Sequence, residues 1–178
     1  CRNNEFYLHY QPKVYVHDES VEGVEALLRW DNIPKGITIA QIIDMAEETG
    51  LITEITKQVV LKAVCQLSEW KKQGRKISIA VNLSSKDLRD ETIVDYISEK
   101  IIEYDVNPGL FEIELTERHM VEDEVKVSKL LNKIRKLGIK VSLDDYGTGH
   151  NSMMYLIHMA FHFDYIKIDK LFIDKIME

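Results

Sequence analysis

Leu110-Phe111-Glu112-Ile113-Glu114-Leu115 and Ile139-Lys140-Val141-Ser142-Leu143 are two strand-like runs with a helical run between them. In that intervening stretch, Asp123 to Leu137, the apolar residues Val127, Leu130, Leu131 and Ile134 recur at helical spacing, and Gly138 ends it. A strand, a helix and a strand in this order are the building unit of a parallel sheet. The same alternation extends both ways. Upstream lie strand-like Phe6 to Gln11, stopped at Pro12, and Val24 to Leu28. Helical Ile39 to Ala46 follows and closes at Gly50; helical Leu51 to Gln73 closes at Gly74. Ile77 to Val81 is a buried strand, and helical Asp90 to Tyr104 is stopped by Asn107-Pro108-Gly109. Downstream come a glycine-containing loop, a short helix near Ser152 to His158, a strand over Tyr165 to Ile168 and a helix beginning at Leu171 to Met177. The fold class is therefore α/β with a largely parallel sheet, either open and doubly wound or closed into a barrel. About six strands are visible, where a closed (β/α) barrel needs eight.

Composition narrows the function. The 178 residues suffice for one domain, and no stretch approaches the roughly 20 apolar residues of a membrane span. A net charge of −7 argues against a DNA or RNA duplex as partner but leaves room for a small anionic substrate beside bound metal. The two cysteines, Cys1 and Cys65, have no metal-type spacing; Cys65 reads as a small buried hydrophobe, and a reducing, cytoplasmic compartment fits. A start at Cys1 reads as a piece of a longer polypeptide.

Polar residues collect where strands end. Glu25 lies in the second strand, Asn82 follows the third, and Glu114 ends the fourth with Glu117 just beyond. Asp144 and Asp145 follow the fifth, and Lys167 lies in the last. In a parallel α/β protein these ends share one face, where such enzymes place their chemistry. The donors are hard oxygens that suit Mg²⁺ or Mn²⁺, and a cation is the simplest way to keep adjacent Asp144 and Asp145 ionised. With a lysine, the set matches metal-assisted attack of water on a phosphodiester. Taken singly, each has a plainer reading: Asn82 as a helix cap, the Asp pair as turn chemistry before Gly147, Lys167 as a snorkelling surface group.

Seven short motifs now fall into order. They are Tyr10-Gln11-Pro12, Glu25-Ala26-Leu27-Leu28-Arg29-Trp30, Ala46-Glu47-Glu48-Thr49-Gly50, Val81-Asn82-Leu83-Ser84, Glu114-Leu115-Thr116-Glu117, Asp144-Asp145-Tyr146-Gly147-Thr148-Gly149 and Ile166-Lys167-Ile168-Asp169. Together they resemble the EAL domain family over essentially the whole chain. The resemblance implies a modified TIM barrel with its first strand antiparallel, an EAL phosphodiesterase domain over 1–178 that is incomplete at its C-terminus, and hydrolysis of cyclic di-GMP to linear pGpG with two Mg²⁺ or Mn²⁺ ions. By motif position, Glu25, Asn82, Glu114 and Asp144 resemble the ligands of one metal, and Asp144 and Asp145 those of the second. Lys167 resembles the lysine that holds the attacking water, and Glu117 the glutamate that anchors the loop after the Asp pair. Gln11 and Arg29 match substrate-contacting positions. The resemblance further implies a homodimer, additional signalling domains in the parent protein and a cytoplasmic site, with any membrane anchor outside this chain.

The chain departs from the family pattern in several places, among them Tyr146 for the more usual Phe and the lack of the usual proline over Ile157 to Asp164. About two strand–helix units, carrying a further glutamate and a glutamine, are expected after the lysine strand and are missing from this chain. Gly147-Thr148-Gly149 is followed by His150, Asn151 and Ser152, where an aromatic residue and two serines are usual. His158 and His162 are spaced to share a helix face, as a metal pair or as ordinary helix and loop histidines; Met153, Met154 and Met159 read as core filling. The alternatives to an active phosphodiesterase are a non-catalytic cyclic di-GMP receptor and a dimerising regulatory module.

Overall fold

The computed structural model describes residues 5–90, 92–116, 124–146 and 163–176. Six strands form one sheet in chain order: β1 (Phe6–Val14), β2 (Val21–Trp30), β3 (Ser78–Asn82), β4 (Phe111–Thr116), β5 (Lys140–Tyr146) and β6 (Tyr165–Ile168). β1 runs antiparallel to β2 and every later pair is parallel. The helices are α1 (Ile39–Thr49), α2 (Ile52–Lys72), α3 (Ser85–Arg89), α4 (Thr92–Glu103), α5 (Glu124–Lys136) and α6 (Lys170–Ile176). This is the α/β sheet with an antiparallel first strand that the sequence predicts. Among the described residues no helix is long and apolar enough to cross a membrane.

The core lies between the sheet and its helices. Val60, Ala63 and Val64 of α2, Ile93 and Ile97 of α4, and Leu131 and Ile134 of α5 are fully buried. They meet one face of the central strands, where Ile79, Val81, Ile113, Leu115 and Val141 are also inaccessible. Period-two alternation leaves Glu112, Glu114 and Ser142 on the other face, and these too are buried. The sheet thus has an apolar outer face under the helices and a polar inner one, the reverse of an ordinary core-facing layer.

Helix ends are fixed locally. Thr38 and Gln41 form a capping box at α1, and Gly50 closes it with φ +76°. At α3, Ser84 caps the helix and Asp87 answers it; Asp87 Oδ2 also accepts from Thr56 Oγ1 of α2 at 2.8 Å. This buried knot fixes the chain just after β3.

Three expectations need correction. β1 continues through Pro12 to Val14, because an edge strand has no ladder on one side to need the missing N–H. Cys65 is exposed, since the helical period turns Ala63, Val64 and Leu67 inward and carries Cys65 away from the core. The helix read over Asp90 to Tyr104 starts at Thr92, and α3, unread in the sequence, precedes it. The predicted helix near Ser152 to His158, the Gly147–Gly149 loop, the three methionines and His150, His158 and His162 lie outside the described residues.

Candidate active site

Parallel strands deliver their C-terminal ends to one rim, and the inner-facing residues there are acidic. Asn82 pairs in register with Glu114, while Glu25 pairs with Ala80, two residues before Asn82 on the same face, so the three polar groups converge from staggered positions. Asn82 Nδ2 donates to Glu25 Oε1 at 2.9 Å. Asn82 is therefore not a helix cap; that task falls to Ser84. Leu83 N–H donates to the Glu114 carbonyl at 3.0 Å and ties the end of β3 to β4.

Carboxylate oxygens of Glu25, Glu114 and Asp144 lie within 4.8 Å of one another. Lys167 Nζ reaches all three, at 3.2 Å from Glu25 Oε2, 3.0 Å from Glu114 Oε2 and 2.9 Å from Asp144 Oδ2. It is not a surface lysine. Burial works against its charge, but Glu114, Asp144 and Glu25 outweigh that and hold its pKa above the usual lysine value. Glu114 is fully buried, and its pKa is pushed up to about 7 by burial, against the pull of Lys167, with the Glu25 charge adding.

Asp144 and Asp145 occupy an irregularity in β5, where the register against β6 shifts between Leu143 and Tyr146. Asp145 adopts φ +54°, a left-handed backbone uncommon for a residue with a side chain. Such irregularities re-aim side chains at the ends of strands. Asp145 N–H donates to Asp144 Oδ1 at 2.9 Å, which pins the first carboxylate. Asp145 itself is more exposed and stands outside the group of three; burial, then the Asp144 charge, raises its pKa.

The other expected residues divide. Gln11 is exposed on β1 and is the register partner of Glu25, which puts both on the inner face. Arg29 is four residues beyond Glu25 on β2; its Nη1 donates to the Leu28 carbonyl at 2.8 Å. It borders a cavity of about 250 Å³ between β2, β3, α1 and α2, whose polar lining also includes Glu47, Asn82 and Ser84. Glu117 lies outside the described residues. One group escaped the sequence reading: Lys13 Nζ is 2.7 Å from Glu112 Oε2 and 3.6 Å from Glu114 Oε1. Its signal was the inward alternation of Gln11 and Lys13 along β1.

The donor set fits a hard divalent cation. Three carboxylates and an amide converge with no thiolate or imidazole among them. Glu114 Oε1 is buried without a hydrogen-bond partner, an acceptor still open to a positive group.

This acidic rim on an antiparallel-started α/β sheet defines a class, and comparison with known proteins gives it a family. The chain belongs to the EAL domain family, whose model matches residues 1–178. It is 37% identical over 176 residues to "Signaling protein YkoW" of Bacillus subtilis (strain 168), covering 98% of this chain and 22% of that protein. It is 34% identical over 172 residues to "Cyclic di-GMP phosphodiesterase PdeR" of Escherichia coli (strain K12), covering 96% and 26%. Among solved structures, "PaMucR Phosphodiesterase, c-di-GMP complex" superposes with TM-score 0.87 at 33% identity over 99% of this chain and 72% of that one. The chain thus spans about a quarter of the curated relatives it matches.

Proposed function

We propose that this chain, as one EAL domain over 1–178, hydrolyses cyclic di-GMP to linear pGpG using Mg²⁺ or Mn²⁺. The observation that carries the reading is the convergence of Glu25, Glu114 and Asp144 around Lys167 on the rim where the strands end. The similarity to PdeR, and to a phosphodiesterase structure in complex with c-di-GMP, supports the substrate.

Glu25, Asn82, Glu114 and Asp144 would hold one cation, and Asp144 with Asp145 a second. Cations held there would supply Lewis acidity for the phosphodiester and for the attacking water. The Lys167 ammonium donates to the water oxygen and turns a lone pair toward phosphorus. Asp145, beside Asp144 near the end of β5, would take the water proton. As the new P–O bond forms, one P–O3′ bond breaks, and the leaving oxygen gains a proton from solvent. The Arg29 guanidinium suits a phosphate oxygen as a forked donor, and the Gln11 amide contacts substrate from β1. In the parent protein the domain pairs as a homodimer beside further signalling domains, on the cytoplasmic side.

The test is chromatography of cyclic di-GMP after incubation with the protein and Mg²⁺ or Mn²⁺, with a chelator control. Appearance of pGpG only with metal is the expected result. Saturable binding of cyclic di-GMP without pGpG would replace the enzyme reading with a receptor.

A further inference from the structure

We infer that Lys13 is a positioning residue for the metal-binding carboxylates, acting on Glu114 from below; this rests on the metal-site reading above. β1 and β4 are separated in the sheet by β2 and β3. Lys13 Nζ nevertheless reaches Glu112 Oε2 at 2.7 Å and Glu114 Oε1 at 3.6 Å. It does so across the inner face of the curved sheet.

The intervening inner positions are small enough to allow that reach. Lys13 pairs in register with Gly23, Gly23 with Ser78, and Ala80 with Glu112. A Cβ at Gly23 would stand 2.1 Å from Ser78 Oγ and 3.0 Å from the Ser78 carbonyl oxygen, so Gly23 and Ser78 pack closely. Gly23, Ser78 and Ala80 are thus the small residues that stand between Lys13 and Glu112 on the inner face.

At the far end, Glu112 and Glu114 are two residues apart on β4 and both buried. Glu114 Oε2 faces Lys167, while Oε1 has no hydrogen-bond partner and Lys13 is the cation beside it. A positive charge on the Oε1 side fixes the tilt of the carboxylate and presents Oε2 to Glu25 and Asp144. The plainer account is that Lys13 serves Glu112 alone. The two accounts differ once Glu112 is neutralised.

The experiment is Mn²⁺ titration of the whole chain by electron paramagnetic resonance, comparing wild type with K13M, E112Q, K13M/E112Q and K13R. The double variant retains no unpaired Glu112 charge, and melting in chelator checks that each variant is folded. Removing a partner that orients a ligand weakens metal affinity by about 10-fold or more, so K13M and K13M/E112Q should both show that loss. E112Q should stay close to wild type, and K13R should recover most of the affinity. Wild-type affinity in K13M/E112Q would assign Lys13 to Glu112 alone and overturn the inference. Undiminished affinity in K13M would overturn it as well. Absence of saturable Mn²⁺ binding by wild type is a different failure: it removes the metal-site reading and the inference with it.

Discussion

Replacing Lys167 by methionine keeps the aliphatic stem and removes the charge that joins three strands. The ammonium makes three charge-assisted contacts of 2.9 to 3.2 Å. Only Glu114 is fully inaccessible; the Lys167 side chain is 29% exposed and those of Glu25 and Asp144 are 18% exposed, so water screens part of the loss. Removing one partner of a fully buried ion pair costs about 3–5 kcal/mol, and the partial exposure sets the expectation at the lower end, about 3 kcal/mol. For a chain of this size that is a fall in Tm of roughly 6–12 °C. The assay is thermal or urea unfolding at pH 7.5 in chelator, repeated with saturating Mn²⁺. The deficit should appear in chelator and shrink with metal, because a divalent cation can neutralise the same oxygens. A loss below about 0.5 kcal/mol in chelator, as for an ordinary surface substitution, would refute the argument that Lys167 holds the carboxylates together.

Other perturbations separate chemistry from stability. D145N is nearly isosteric and removes one charge; pGpG formation should fall at least about 100-fold while cyclic di-GMP binding, followed by calorimetry, stays measurable, as expected for loss of a general base. Leu131→Ala opens a cavity in the fully buried contact of α5 with the sheet and should cost about 2–5 kcal/mol in urea unfolding, with or without metal. In chelator, Glu114 has a folded-state pKa of about 7 against an ordinary 4.5. Its neutral form is the one the fold prefers, so its contribution is complete below pH 4.5 and lost as pH rises through about 7. The unfolding free energy from urea titration should fall across that window by up to about 3 kcal/mol, and E114Q should flatten the fall.

How far the sequence could be read depends on which signal each part carries. β4, α5 and β5 are legible because their apolar spacing reports burial against one sheet, and their observed bounds differ from the reading by a few residues. Glu25, Asn82, Glu114, Asp144 and Lys167 are legible because parallel strands gather their ends on one rim. Pro12 misled because a breaker in a central strand is tolerated in an edge strand, and position in the sheet is a tertiary property. Cys65 misled because an apolar-looking run does not state which of its residues face outward. Lys13 was illegible for a related reason. A lysine in an alternating strand looks solvent-facing unless the partner face is known to enclose carboxylates 99 residues away.

The charges on that inner face connect the fold to the chemistry. Four carboxylates, Glu25, Glu112, Glu114 and Asp144, meet two ammonium groups, Lys13 and Lys167, one from each end of the chain. With Lys140, which pairs in register with Glu112 on the same face, the set carries a net charge of minus one, or minus two with Asp145. A dianionic cyclic dinucleotide, the proposed substrate, would be repelled by such a cleft. On the proposed reading, two divalent cations would turn it positive, so the groups assigned to hold metal would also convert the cleft from one that rejects an anionic substrate to one that attracts it. The lysines cannot make this conversion alone, because they are outnumbered, but they allow the carboxylates to be built into the interior. Lys13 lies below Glu114 and Lys167 above it, and the acid between them is the one whose burial is complete. That placement follows from a sheet whose helices cover its apolar face, leaving the alternate residues of each strand to supply the polar groups of the rim.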